Sequence, residues 1–266
     1  LPANTMNIAV AVAHDVDRDG DQDLFIGARS VPMQYGTVPD SYLWINNGSG
    51  EFTAAPPVKA GMITDAVFAD LTGDAQAELL LVGEWMSPRL YTIQNQQLTE
   101  VKTDLSSLKG WWQSVAVADL DGDKRMDIVL GNTGENFYLK PTPEQPVRLW
   151  ISDFDENGTA DRIITRTVNK KDMPVFLKRD LTDQLPVLKK QNLKFEAYGN
   201  KTIQQLFPGE VMQKAQMYEF NSGASCIAYN EGDGRFLVQP LPVQVQFSSV
   251  NAIVCHDFNQ DGRPDL

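Results

Sequence analysis

Asp15-Val16-Asp17-Arg18-Asp19-Gly20-Asp21-Gln22-Asp23, running directly into Leu24-Phe25-Ile26-Gly27, is the stretch on which the reading of the whole chain turns. Carboxylates at positions 1, 3, 5 and 9 of this nine-residue loop gather hard oxygen donors, and calcium takes about six to eight such oxygens at roughly 2.3–2.6 Å. Position 7, Asp21, is expected to ligate through its backbone carbonyl, while Gly20 at position 6 permits the sharp turn. Without a cation, carboxylates this closely spaced repel one another. An EF-hand is excluded, because position 12 is Ile26 rather than a bidentate Glu and no helix flanks the loop. The flanks, Ile8–Ala13 and Leu24–Ile26, read as short strands.

Similar windows begin at 70, 119, 153 and 257. The expected calcium ligands are Asp15, Asp17, Asp19, Asp21 and Asp23; then Asp119, Asp121, Asp123, Arg125 and Asp127; then Asp153, Asp155, Asn157, Thr159 and Asp161; then Asp257, Asn259, Asp261, Arg263 and Asp265. In each set the position-7 residue serves through its carbonyl. The window at 70 has Thr72 at position 3, Ala75 rather than Gly at position 6 and Glu78 at position 9. It is read as a decayed copy that binds metal weakly or not at all.

The net charge of −12 follows from these windows, which hold more than half of the 35 acidic residues. That acidity argues against nucleic acid or an anionic membrane as partner, since both need a basic face. Two cysteines, Cys226 and Cys255, make no disulfide scaffold and are read as unpaired thiols. No apolar run approaches the roughly 18 residues of a membrane span. A chain opening on Leu1-Pro2 and ending just after the last loop is read as a fragment of a longer protein. Weak calcium loops fill readily only outside the cytosol, so the expected location is extracellular, periplasmic or cell-surface.

A recurring unit of about 50 residues with several short strands has the size of a propeller blade. The expected fold is an all-β propeller fragment of four-stranded blades at about 5–56, 62–101, 112–168 and 215–245, with the next starting at 247–266. In the first, Asn7–Ala13, Leu24–Ala28, Tyr42–Ile45 and Glu51–Ala54 read as strands, the last two joined by Asn46-Asn47-Gly48-Ser49-Gly50. Ile227–Phe236 repeats that outer hairpin. A helical insertion of about 174–216 breaks the pattern, with Leu181, Leu185 and Leu188 at helical spacing and a second helix at Thr202–Phe207 stopped by Pro208-Gly209. It is expected to cap a propeller edge.

The run Asp-x-Asp-x-Asp-Gly-x-x-Asp-Leu, a strand, and then Asn-Gly-x-Gly-x-Phe resembles the FG-GAP/VCBS repeat, the blade unit of integrin-α-type β-propellers. Gly83-Glu84-Trp85-Met86, Gly110-Trp111-Trp112-Gln113-Ser114, Gly131-Asn132-Thr133-Gly134-Glu135-Asn136 and Arg179–Pro186 are similar to segments of large exported VCBS-repeat proteins of Bacteroidota. The resemblance implies calcium at the loop positions named above, and adhesion or ligand binding as the role.

Catalytic motifs are missing: there is no Gly-x-Ser-x-Gly elbow, no His-Glu-x-x-His, no Walker loop and no zinc-spaced cysteine pair. His14 and His256 each precede the first Asp of a loop, and a repeated position argues for structure. Glu84, the acid outside the loops that merits testing, sits beside Trp85; with Trp111 and Trp112 it forms a candidate ligand surface for protein or carbohydrate. The plainer reading of the tryptophans is packing between blades. Asn47 and Asn200 open glycosylation sequons. The function expected is therefore a non-catalytic, calcium-stabilised binding or adhesion module. The alternatives are a polysaccharide-processing enzyme and a purely structural propeller.

Overall fold

The computed structural model describes residues 5–191, 194–207 and 209–266; Leu1-Pro2 and the Pro208 helix stop lie outside them. The first antiparallel sheet runs β1 (Asn7–His14), β2 (Asp23–Ser30), β3 (Tyr42–Asn46) and β4 (Phe52–Ala54) in that order. The second runs β5 (Met62–Ala69), β6 (Glu78–Met86), β7 (Arg89–Gln94) and β8 (Gln97–Val101), with the two-residue β9 (Gly110–Trp111) added against the far end of β6. A third begins with β10 (Ser114–Ala118) and β11 (Asp127–Gly131). The chain then leaves for a second compact unit, 138–222, before returning for the other half of that sheet.

The second unit contains β12 (Val147–Ser152), β13 (Asp161–Val168), β14 (Lys171–Pro174), five short helices and β15 (Gln216–Phe220). The helices are α1 (Lys178–Gln184), α2 (Val187–Gln191), α3 (Phe195–Gly199), α4 (Ile203–Leu206) and α5 (Glu210–Lys214). Its sheet order is β14-β13-β12-β15. Back in the first unit, β16 (Cys226–Gly232) and β17 (Arg235–Pro240) complete the order β10-β11-β16-β17.

Two expectations are corrected here. The blade expected over 112–168 is not a sheet: Ile128 pairs with Ala228 and Leu130 with Cys226, whereas 147–168 pairs within the second unit and with β15. The segment 215–245 is likewise split, β15 going to one sheet and β16–β17 to another. Proximity in sequence favoured neighbouring strands, but a whole folded unit intervenes. The helices, expected as an edge cap, instead build a core with their own sheet, in which Leu181, Leu185, Leu188, Ile203 and Leu206 surround Ile163 and Phe154. Amphipathic spacing finds the buried face of a helix but not what covers it. Among the described residues no helix is long and apolar enough to cross a membrane.

In the first unit, β6 carries the packing. Every residue from Glu78 to Met86 is buried. Because side chains alternate across a strand, Leu79 and Leu81 enter one core with Phe25, Leu43 and Ile63, while Leu80 and Val82 enter another with Trp112, Ile128 and Leu130. A strand covered on both faces explains why Leu79-Leu-Leu-Val82 is continuously apolar. Two glycines on second strands let other backbone come close, Gly83 the paired strand β5 and Gly131 the segment at Val250. A Cβ on Gly83 would lie 2.1 Å from the Met62 carbonyl oxygen, and one on Gly131 would lie 2.5 Å from that of Val250.

Candidate functional site

All five acidic windows fold as one frame, each between two strands or their equivalents. The position-6 N–H donates to the position-1 carboxylate in every copy: Gly20 to Asp15 (3.1 Å), Ala75 to Asp70 (2.9 Å), Lys124 to Asp119 (2.9 Å), Gly158 to Asp153 (2.7 Å) and Gly262 to Asp257 (2.8 Å). The position-7 N–H donates to the position-5 side chain at 2.8–3.0 Å, as from Asp21 to Asp19 and from Thr159 to Asn157. The position-2 N–H donates to the position-9 carboxylate, as from Val16 to Asp23 (2.9 Å) and from Leu120 to Asp127 (2.9 Å). The acids thus answer two demands, because the same carboxylates that offer oxygens to a cation satisfy the loop's own backbone donors.

The frame also needs two left-handed residues, at positions 4 and 6. Arg18 and Gly20 take φ of 64° and 99°, Gly73 and Ala75 80° and 64°, Gly122 and Lys124 84° and 71°, Glu156 and Gly158 57° and 88°, and Gln260 and Gly262 61° and 86°. Each copy puts glycine at one of the two. The glycine at position 4 in the third loop therefore does not loosen it, and its absence from position 6 in the second loop is no defect.

Ligand-bearing oxygens of Asp15, Asp17 and Asp19, of Asp119, Asp121 and Asp127, and of Asp153, Asp155 and Asp161 lie within 4.8 Å of one another. Repulsion of such pairs is of order 1 kcal/mol even with water's screening. Burial, then the charges of Asp19 and Asp23, raise the Asp17 carboxyl above its usual range. Burial is also the leading cause of the raised Asp127 and Asp161 carboxyls. Asp15 Oδ1 and Asp155 Oδ1 are buried and accept no hydrogen bond. A buried anionic oxygen without a donor is costly unless a cation meets it, and an all-oxygen set of this kind fits calcium. The residues present therefore fit the ion.

The position-7 residues divide. Asp21 directs its carboxylate at the β3–β4 turn, where a Cβ on Gly48 would lie 2.3 Å from Asp21 Oδ2. Arg125 pairs with Asp123 and donates from Nε to the Asn230 carbonyl (2.6 Å). With those side chains engaged elsewhere, the carbonyl is what position 7 has to offer. Asp257, Asn259, Asp261, Arg263 and Asp265 share the frame, with His256 and Asp265 bridged across it. Among the described residues, groups of three acids at the spacing above occur in the first, third and fourth loops.

The second loop replaces the cage with a closed set of hydrogen bonds. Glu78, 1% exposed, accepts from the N–H groups of Leu71 (2.9 Å) and Thr72 (3.1 Å) and from the Thr72 hydroxyl (3.0 Å). The longer side chain and the hydroxyl thus satisfy each other. Replacing Glu78 with Ala strands three donors at about 1–3 kcal/mol each before water or relaxation compensates. The expected loss is about 3 kcal/mol in urea unfolding, the same with and without chelator.

Two residues escaped the sequence reading. The backbone N–H groups of Asn46 and Asn230 donate to the other oxygen of Asp23 (2.9 Å) and Asp127 (2.8 Å). Their amides reach Gln22 (3.3 Å) and Met126 (3.1 Å) carbonyls, and Asn230 also reaches that of Leu71 (2.9 Å). The signal was present, since each opens an Asn-x-Gly turn whose glycine N–H returns to the Asn Oδ1.

The candidate ligand surface is corrected by burial. Trp112 is wholly buried, its indole N–H on the Met86 carbonyl (3.0 Å); Trp85 is 4% exposed and Glu84 1%. Trp111 is half-buried between Trp85 and Phe137, with ring centroids at 5.4 and 5.9 Å. The large apolar area that suggested a platform is what makes these rings core. Glu84 accepts from Arg29 and from the Tyr35 hydroxyl (2.6 Å), so both its oxygens are engaged. His14 stacks on Phe68 at 4.8 Å and His256 meets Phe258 edge-on at 5.3 Å. Cys226 and Cys255 are free thiols, Cys226 pushed up to about 12 by burial.

Family models match this architecture: an FG-GAP-like repeat matches residues 15–81 and 70–130, and an FG-GAP repeat matches 111–150. No curated protein matches the chain.

Proposed function

Because the chain belongs to the FG-GAP-repeat family, we propose that it is a calcium-stabilised, β-propeller-type binding module of an exported protein, without catalytic activity. The observation that carries the reading is the buried, hydrogen-bond-free oxygen of Asp15 and of Asp155 within loops that already satisfy their own backbone. In the first loop Asp15, Asp17, Asp19 and Asp23 would hold the ion with the Asp21 carbonyl, and the third and fourth loops would do so with their equivalents. The ion supplies charge neutralisation and ties the turn between a first and a second strand. Repetition favours architecture over chemistry, since one site copied along the chain holds sheets in place. Binding then falls to residues that this frame supports.

Isothermal titration with calcium, after chelation and dialysis, is expected to give about three sites. Asp121→Asn is expected to remove or weaken one, and Thr72→Ala none. Absence of calcium heat at millimolar concentration sinks the proposal.

A further inference from the structure

At the end of the sheets away from the acidic loops, one arginine is held out toward solvent by a buried scaffold. Arg29, near the end of β2, has its side chain 49% exposed and pairs with the 1% exposed Glu84 of β6. The other oxygen of Glu84 takes the Tyr35 hydroxyl (2.6 Å), which in turn accepts the Trp85 indole N–H (2.8 Å). Arg29 Nε and Nη1 make no hydrogen bond among the described residues. Neutralising Glu84 occupies only one guanidinium nitrogen of a side chain that is half exposed.

Arg29 and Tyr35 bracket the turn Val31-Pro32-Met33-Gln34, closed by the Gln34 N–H on the Val31 carbonyl (3.0 Å). Both flanks of that turn are thus pinned to Glu84. Met33 occupies the third turn position at φ 62°, a conformation that favours glycine, and is 96% exposed. Trp85, below it in the network, is a second non-glycine residue at positive φ, 59°. Strained residues persist only where their surroundings enforce them, and they gather where a surface must be presented in one geometry. A bare methionine beside a pre-oriented arginine has the composition of a protein-binding hot spot, not of a polyol site.

We propose that Arg29 and Met33 recognise a peptide segment presenting a carboxylate beside an apolar side chain. The guanidinium takes the carboxylate through its free N–H groups, and Met33 covers the neighbouring apolar group. The scaffold supplies pre-organisation, which removes the cost of ordering a long side chain on binding. The acidity of the chain disfavours polyanions, whereas a single carboxylate at Arg29, six residues along β2 from the loop residue Asp23, meets screened repulsion. This inference rests on the binding-module reading.

The test is selection from a random octapeptide display library at saturating calcium, followed by affinity measurement on the enriched peptide. Enrichment of peptides with Asp, Glu or a free C-terminus next to an apolar residue is expected. Binding should weaken at least tenfold in Arg29→Gln and in Arg29→Lys, and several-fold in Met33→Ser. Arg29→Lys preserves the counter-charge for Glu84, so it keeps the result interpretable if Arg29→Gln unfolds. Enriched peptides without acid, or undiminished affinity in Arg29→Lys, overturn this inference and leave the binding module standing. Enrichment of nothing, with binding instead to uronate oligosaccharides, overturns the peptide assignment. No binding to either overturns both readings.

Discussion

Addition of a chelator is expected to lower the melting temperature by about 5–10 °C for each filled loop of the first unit, and by about 10–20 °C for the loop at Asp153 in the second. A ligand bound only by the folded state at about 100 times its dissociation constant contributes roughly 2.7 kcal/mol. Each kcal/mol moves the midpoint of the first unit by about 2–4 °C and that of the smaller second unit, 138–222, by about 4–8 °C. The sign follows from the loops themselves. The hydrogen bonds from positions 2, 6 and 7 survive without the ion, so the frame does not collapse outright. What chelation restores is repulsion within Asp15–Asp17–Asp19, Asp119–Asp121–Asp127 and Asp153–Asp155–Asp161, together with two buried oxygens lacking donors. Asp17→Asn and Asp121→Asn should each remove part of the shift, while Thr72→Ala should leave it intact. A melting curve indifferent to chelation at millimolar calcium, read by circular dichroism, contradicts the assignment.

Gly83→Ala is expected to destabilise the first unit by about 3 kcal/mol or more. The added carbon falls 2.1 Å from the Met62 carbonyl oxygen and 2.8 Å from its carbon, both backbone atoms of the paired strand β5. Neither moves like the end of a flexible side chain, so β5 must shift against β6, the strand buried on both faces. Overpacking of this kind costs about 1–3 kcal/mol when side chains can yield, and more when backbone must. A drop of roughly 6–12 °C in melting temperature follows. Gly20→Ala is the control, since nothing lies within 4 Å of its Cβ position and its cost is that of φ 99° alone. Equal losses in the two variants would mean that close approach does not govern Gly83.

Local features were the legible ones. Continuous apolar runs such as Leu79–Val82 mark strands covered on both faces, and Asn46–Gly50 marks a hairpin, because both signals lie within a few residues. The acidic spacing marked the loops for the same reason. Pairing of β11 with β16 was illegible, since no local rule carries a strand past a folded excursion to its neighbour. For Trp85 and Trp112 the letters leave packing and a ligand surface both open, because exposure depends on what packs over a ring, which composition does not reveal; their burial agrees with packing. The equivalence of glycine at positions 4 and 6 needed dihedral angles: a string of letters shows one glycine moving, whereas the backbone shows two left-handed residues of which either can be glycine.

The excursion between β11 and β16 sets a schedule for biosynthesis. The third sheet is half made when Gly131 has been synthesised, and its next strand follows only after roughly 100 further residues, about 5–20 s at ordinary elongation rates. During that interval β11 presents a bare edge of the apolar run Ile128–Leu130, a template for pairing with any other extended chain. The second unit has its own core and can fold meanwhile. The returning chain meets its place through Ser225 Oγ on the Asn132 N–H (2.9 Å) and Gly223 on Gly134 (2.9 Å), beside the point of departure. Slowing the ribosome across 138–222 would lengthen that exposure, so the yield of soluble protein becomes a matter of codon timing as well as of stability.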